Sequence, residues 1–267
     1  MESGPRAPVL YIPHGGGPLP LLGDPGHTAL VEFLRAIPAQ LGKPKAILVI
    51  SAHWEEAEFT MQSRREPELL YDYYGFPAES YEIKYNAPVA HNVANRTAEL
   101  LSRANLGFGF DAQRGFDHGL FVPLKLMYPQ ADIPCLQLSL RADLDPAAHI
   151  ALGEALAPLR DDNILILGSG SSFHNMTAFK DGQSGMDACQ RFDRWLNAAC
   201  CEQDYAKAKQ ALISWNSAPD ASYAHPREEH LIPLHVCLGA AVASAAPAQN
   251  VFHGDMMGYC MSAFLWR

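Results

Sequence analysis

At 267 residues and 48% apolar content, the chain can bury a full core and fits one large α/β domain. Its formal net charge is −9, and it has no basic stripe, which argues against nucleic acid or an anionic membrane as a partner. Residues 1–6 lack a signal-like region, and no stretch approaches the roughly 18 uncharged apolar residues of a membrane span, so a cytoplasmic protein is expected.

Val9 to Ile12 reads as a short strand that ends at Pro13, His14 and a glycine triplet. Thr28 to Leu41 carries helical spacing. Ala46 to Ile50 is an unbroken aliphatic run, as expected of a strand covered on both faces. Phe59–Gln62 and the alternating Tyr81–Tyr85 read as further strands, His91 to Ala104 as an amphipathic helix, and Gly107 to Asp111 as a short strand. A brief helix is expected over Leu120 to Met127 and a strand over Cys135 to Leu140. A helix opens near Asp143 with Pro146 in its first turn and runs to about Leu159. Asn163 to Leu167 is another buried strand, broken by the Gly168–Ser172 turn. Helices over 186–201, 205–214 and 227–243 follow, and Met256 to Trp266 reads as a closing strand. This alternation predicts a single domain over 1–267, an α/β sandwich with a central mixed β-sheet flanked by helices on both faces. The six cysteines include no Cys-x-x-Cys pair and read as reduced thiols.

Five of the eleven histidines close apolar runs or open helices in Gly-, Ser- or Pro-marked segments: His14, His53, His118, His174 and His230. Neutral imidazole ligates borderline divalent metals, and its pKa suits proton transfer near neutrality. Histidines at strand ends converge where α/β folds place their sites, so the pattern predicts a mononuclear metal enzyme. His14 and His53 each follow a strand and fit metal ligands. His174 follows a strand and a Gly-Ser turn, as either a ligand or a proton carrier. His118 lies between Asp117 and Gly119, with Asp117 placed to fix its tautomer. His225 lies in a loop near His230 and could touch substrate, and His235 reads as structural. His27, His91, His149 and His253 read as surface or capping residues. No Gly-x-Ser-x-Gly elbow, P-loop, complete dinucleotide turn or His-Glu-x-x-His motif competes.

Seven segments form a set: 13–18 (Pro-His-Gly-Gly-Gly-Pro), 51–54 (Ser-Ala-His-Trp), 74–77 (Tyr-Gly-Phe-Pro), 85–88 (Tyr-Asn-Ala-Pro), 115–119 (Gly-Phe-Asp-His-Gly), Gly168-Ser169-Gly170 with His174-Asn175, and 225–230 (His-Pro-Arg-Glu-Glu-His). Across nearly the whole chain this set resembles the class III extradiol ring-cleaving dioxygenases, in particular the DOPA 4,5-dioxygenase type. The resemblance implies a non-haem Fe(II) centre that opens a catechol beside its two hydroxyls with O2, giving a ring-opened semialdehyde acid. It implies His14 and His53 as ligands. Archetypal members use a glutamate as the third; the DOPA-type pattern has histidine in the 225–230 segment, which assigns His230. An all-histidine set also suits Zn(II). The family's acid–base histidine corresponds to His174, and His118 would hydrogen-bond a substrate or oxygen atom. Tyr223, Arg227 and Lys125 are candidates for a substrate carboxylate. The expected partners are a small aromatic diol and O2, with the chain a monomer or small homo-oligomer. A zinc-dependent hydrolase and a non-enzymatic scaffold on the same fold are the rival readings.

Overall fold

A computed structural model describes residues 6–178, 181–244 and 246–267. Its strands are β1 (Val9–Pro13), β2 (Ala46–Glu56), β3 (Phe59–Gln62), β4 (Phe108–Asp111), β5 (Cys135–Arg141), β6 (Ile164–Gly170), β7 (Gln249–Met256) and β8 (Tyr259–Trp266). Its helices are α1 (Thr28–Ala36), α2 (Pro38–Leu41), α3 (His91–Arg103), α4 (His118–Met127), α5 (Pro146–Leu156), α6 (Gly182–Cys200), α7 (Tyr205–Ile213), α8 (Ala221–Ala224) and α9 (Ile232–Ala240). The strands form one mixed sheet in the order β4-β3-β5-β2-β6-β1-β8-β7.

β2, β6 and β1 run parallel at its centre. Their aliphatic runs are buried throughout, which requires cover on both faces. Two consecutive residues show that cover. A Cβ on Gly168 would meet Cys237 and Pro233 of α9, whereas the Ser169 hydroxyl donates to the Gly119 carbonyl of α4. Successive strand residues point to opposite faces, so α9 and α4 lie on opposite sides of the sheet. α5 packs on α9 at glycine contacts: a Cβ on Gly153 or Gly239 would fall 2.1 Å from a carbonyl oxygen of the facing helix. Among the described residues no helix is long and apolar enough to cross a membrane.

Several expected elements differ in ways that have local causes. The helix expected over 28–41 breaks into α1 and α2 at Pro38, which opens the second piece. The alternating Tyr81–Tyr85 segment is not a strand. Tyr81 ends a 3₁₀ turn over Ala78–Tyr81, and the Tyr71 hydroxyl donates to the Ile83 carbonyl at 2.7 Å, a group a ladder would use. The closing strand is the second half of a hairpin. β7 and β8 meet at Met257 and Gly258, both with positive φ, the backbone that a tight two-residue hairpin turn needs. α9 begins only at Ile232, so His230 precedes the helix. β2 runs six residues past Ile50, and its register against β5 shifts between Ile50 and Glu55. His53 lies inside this irregularity, where such a bend re-aims a side chain.

Candidate metal centre

The carboxyl ends of the parallel strands set the site. Pro13 pairs with Gly170, and Ser51 with Ser169, so the segments that follow β1 and β6 leave the sheet beside the bend in β2. The His14 amide donates to the Gly170 carbonyl at 3.0 Å. His230 arrives from another part of the chain and is held by its backbone. Its carbonyl accepts the Tyr11 hydroxyl and the Ser171 amide, each at 3.0 Å. Gly170 permits this approach, because a Cβ there would fall 2.1 Å from the same carbonyl oxygen. Gly119 serves α4 in the same way: its Cβ would sit 2.4 Å from Ser51 Oγ and 3.4 Å from the His53 ring.

One ligand atom from each of His14, His53 and His230 falls within a 4.8 Å cluster. The outer partners of these rings orient them. Ser169 Oγ uses its single hydrogen on the Gly119 carbonyl, so it accepts from His14 Nδ1–H at 3.0 Å. His230 Nδ1 donates to Glu229 Oε1 at 2.9 Å. His53 Nδ1 lies 3.6 Å from Asp72 Oδ2. The Nε2 lone pairs of His14 and His230 are thereby left for the interior, and His53 Nε2 stands 3.0 Å from His14 Nε2, close enough for the two to share one hydrogen. A metal held there would take the place of that shared hydrogen, with the His53 proton moved to Nδ1 on the side that faces Asp72. Burial first, and then the neighbouring imidazoles, hold His14 and His53 well below the ordinary histidine pKa. Burial lowers His230 to about 4 against the opposing hydrogen bond to Glu229. Neutral rings with inward lone pairs are what a divalent metal requires.

Two carboxylates stand behind the rings. Burial works to raise the Asp72 pKa, but hydrogen bonds from His118 hold it below its ordinary value; the His118 Nδ1 contact is 2.8 Å. Glu229 is likewise pushed up by burial and held down more strongly by His174 and His230. The His174 ring stacks on that of His230 at a centroid distance of 3.5 Å, with Nδ1 3.3 Å from Glu229 Oε1. His14, His53, His118, His174 and His230 all line one cavity of about 470 Å³.

Other expected site residues lie elsewhere. Asp117 does not set the His118 tautomer: it is buried against Ser51, Gln137 and Arg114, while Asp72 takes the His118 ring and its backbone amide. His225 is buried away from the cavity lining. Its Nε2–H donates to the Ser172 carbonyl at 3.1 Å, and the ring packs on Phe192 and Trp215. The Tyr223 hydroxyl donates to Asp181 at 2.7 Å, Arg227 forms a two-pronged pair with Glu55, and Lys125 donates to the Lys84 carbonyl; none lines the cavity. His27 and His149 are buried rather than superficial. His27 accepts the Gly16 amide at 3.0 Å and donates to Asp24, pinning the glycine loop. His149 accepts the Arg141 amide and donates to the Asp145 carbonyl. His235 is structural, with both ring nitrogens facing backbone carbonyls. Asp72 and Ser169 were missed as ring partners. Ser169 stood in a recognised motif, but an acid in Tyr71-Asp72-Tyr73 carries no signal of its own.

Residues 17–262 match the family described as the catalytic LigB subunit of aromatic ring-opening dioxygenase. The chain belongs to the LigB family. A 4,5-DOPA dioxygenase extradiol of Beta vulgaris is 43% identical over 261 residues, covering 94% of each chain. The protein called dioxygenase tasH from Hapsidospora irregularis is 42% identical over 253 residues, 88% of this chain and 78% of that one. A crystal structure of an uncharacterized protein from Escherichia coli K12 superposes with a TM-score of 0.80 at 29% identity, covering 97% of this chain and 99% of the other. The chain is thus a LigB-type ring-cleaving dioxygenase that acts on an aromatic substrate with O2, and the histidine cluster is its candidate metal site.

Proposed function

We propose that this LigB-family chain opens a catechol ring beside its two hydroxyls, using Fe(II) held by His14, His53 and His230. The observation that carries the reading is the matched orientation of the three rings. The Nδ1 hydrogens of His14 and His230 are taken by Ser169 and Glu229, Asp72 faces His53 Nδ1, and the ligand nitrogens converge. Bound there, Fe(II) would supply Lewis-acid activation of the catechol oxygens and an electron path to O2.

The remaining work falls to the protein. His174 keeps Nδ1 towards Glu229, which leaves Nε2 to take a proton from a catechol hydroxyl and return it during ring opening. The Glu229 carboxylate stabilises the imidazolium formed in between. His118, backed by Asp72 in the same way, would hold an oxygen atom on the opposite side and stabilise charge developing on it. Both oxygen atoms of O2 enter the product, a ring-opened semialdehyde acid. The name of the relative from Beta vulgaris, 4,5-DOPA dioxygenase extradiol, supports a catechol as the substrate class. We take residues 1–267 to act as one catalytic domain, as a monomer or small homo-oligomer. The six free cysteines fit the reducing cytoplasm.

The test is EDTA stripping, anaerobic loading with Fe(II) or Zn(II), and addition of 4-methylcatechol with air. One O2 consumed per yellow product with Fe(II), and none with Zn(II), is expected. Absence of O2 uptake with Fe(II) across a catechol panel would refute ring cleavage, and O2-independent hydrolysis with Zn(II) would point to the hydrolase.

A further inference from the structure

The seam between α6 and β8 brings two thiols together. On α6, Cys189 and Asp193 stand four residues apart and share a helix face. On β8, Cys260 and Ser262 stand two apart and share a sheet face. Asp193 Oδ1 accepts the Ser262 hydroxyl at 2.7 Å, and one helical turn earlier Cys189 Sγ lies 3.0 Å from Cys260 Sγ. On the other side of the pair the packing is again close: a Cβ on Gly185 would fall 2.5 Å from the Tyr223 hydroxyl and 3.0 Å from that of Tyr259. Helix and strand are thus anchored on both sides of the two sulfurs. A disulfide bond of about 2.0 Å needs them to approach by only about 1 Å.

We propose that Cys189 and Cys260 are a redox pair, which hydrogen peroxide converts into one disulfide and a thiol reductant reopens. Cys189 is buried, whereas Cys260 is partly exposed, so a solvent oxidant reaches Cys260 first. Its sulfur attacks peroxide: an S–O bond forms, the O–O bond breaks, water leaves, and Cys260 becomes a sulfenic acid. The hydrogen bond to Cys260, and then burial, hold the Cys189 thiol well above its ordinary pKa, so Cys189 keeps its hydrogen until that step is complete. The Cys189 sulfur then displaces the hydroxyl from Cys260, and its hydrogen leaves with that hydroxyl as a second water. In sum, two thiols and one peroxide give one disulfide and two waters. Tyr259 and Met261 alternate with the two seam residues along β8 and line the cavity, so the new bond would tie a wall of the site to α6. At rest the pair is reduced, as a transient intracellular disulfide requires.

The experiment counts thiols and maps the bond. Fully reduced protein, loaded with one equivalent of redox-inert Zn(II), is treated with a small molar excess of hydrogen peroxide, quenched with catalase, unfolded and alkylated with N-ethylmaleimide. Alkylatable thiols should fall from six to four per monomer, with the Cys189 and Cys260 peptides linked in the non-reduced digest. Treatment with a phosphine reductant before alkylation should restore all six. Cys260→Ser and Cys189→Ser should each abolish the intramolecular link, whereas Cys201→Ser, which removes the other partly exposed thiol, should leave it intact. Six thiols surviving in the wild type, a link between other cysteines, or a Cys260 oxidised to sulfinic acid with no link overturns the proposal. If a serine variant fails to fold, the wild-type peptide map alone decides.

Discussion

Glu229→Ala removes one acceptor from behind two imidazoles, and its effect on metal binding can be worked from the distances. Glu229 Oε1 takes the His230 Nδ1 hydrogen at 2.9 Å and lies 3.3 Å from His174 Nδ1. A hydrogen bond to a charged group contributes about 1.5–3 kcal/mol. Loss of the outer partner of a metal-binding histidine weakens affinity about 10–100-fold, equal to about 1.4–2.8 kcal/mol. The two ranges coincide, so a 10–100-fold rise in Kd is expected for Glu229→Ala. Glu229→Gln keeps an acceptor oxygen without the charge. A neutral hydrogen bond is about half as strong, which predicts roughly a 3–10-fold rise. The assay is Zn(II) competition against a chromogenic chelator at pH 7.5, repeated anaerobically with Fe(II), with circular dichroism to verify folding. A folded Glu229→Ala protein binding within twofold of wild type, while His230→Ala loses affinity, would refute the role given to the carboxylate.

Four further outcomes are expected. His174→Ala should retain metal but lose about 10²–10⁴-fold in kcat, the usual contribution of general acid–base catalysis, and full turnover would exclude it as the proton carrier. Arg227→Ala should leave KM for a catechol within about twofold, because Arg227 pairs with Glu55 and, at 3.5 Å, with Glu229 and lies off the cavity lining; a large KM effect with metal affinity unchanged would refute this. Gly239→Ala should lower the urea midpoint. A Cβ 2.1 Å from the Ile150 carbonyl oxygen forces backbone apart at a cost of about 1–3 kcal/mol or more, against a helix-propensity gain of at most about 1 kcal/mol, so an unchanged midpoint would contradict the close α5–α9 packing. Stability should also fall as pH drops below about 6.5. Burial depresses the folded-state values of His149 and His235 to about 4 and of His225 to about 3, so between these values and 6.5 the unfolded chain binds more protons. Stability is therefore full above the unfolded pKa and lost as pH falls towards the folded ones, by up to about 1.4 kcal/mol per pH unit for each ring. Urea midpoints that stay flat from pH 7 to 5 would refute this.

The strand cores and the converging histidines were legible because they follow local rules. The aliphatic runs 9–12, 46–50 and 163–167 read as strands, the last two as buried ones, and the glycine- or serine-marked histidines read as groups that close apolar runs or open helices. Local rules misjudged Tyr81–Tyr85, where the distant Tyr71 hydroxyl takes a carbonyl that a ladder would use, and they missed β7, the partner of the closing strand, which is exposed along much of its length.

Sequence by itself determined the element types around the sheet and the short set of histidines competent to meet a metal, because periodicity, glycine placement and imidazole chemistry are properties of neighbours along the chain. Only the tertiary structure decided which atoms stand behind those rings. Asp72 rather than Asp117 holds His118, Glu229 serves both His174 and His230, His225 and Tyr223 are drawn to partners away from the cavity, and Arg227 pairs with Glu55 and Glu229 rather than entering it. A hydrogen bond needs its two atoms about 3 Å apart, and residues that are remote in the chain reach that distance only once the sheet and its two helical layers have packed.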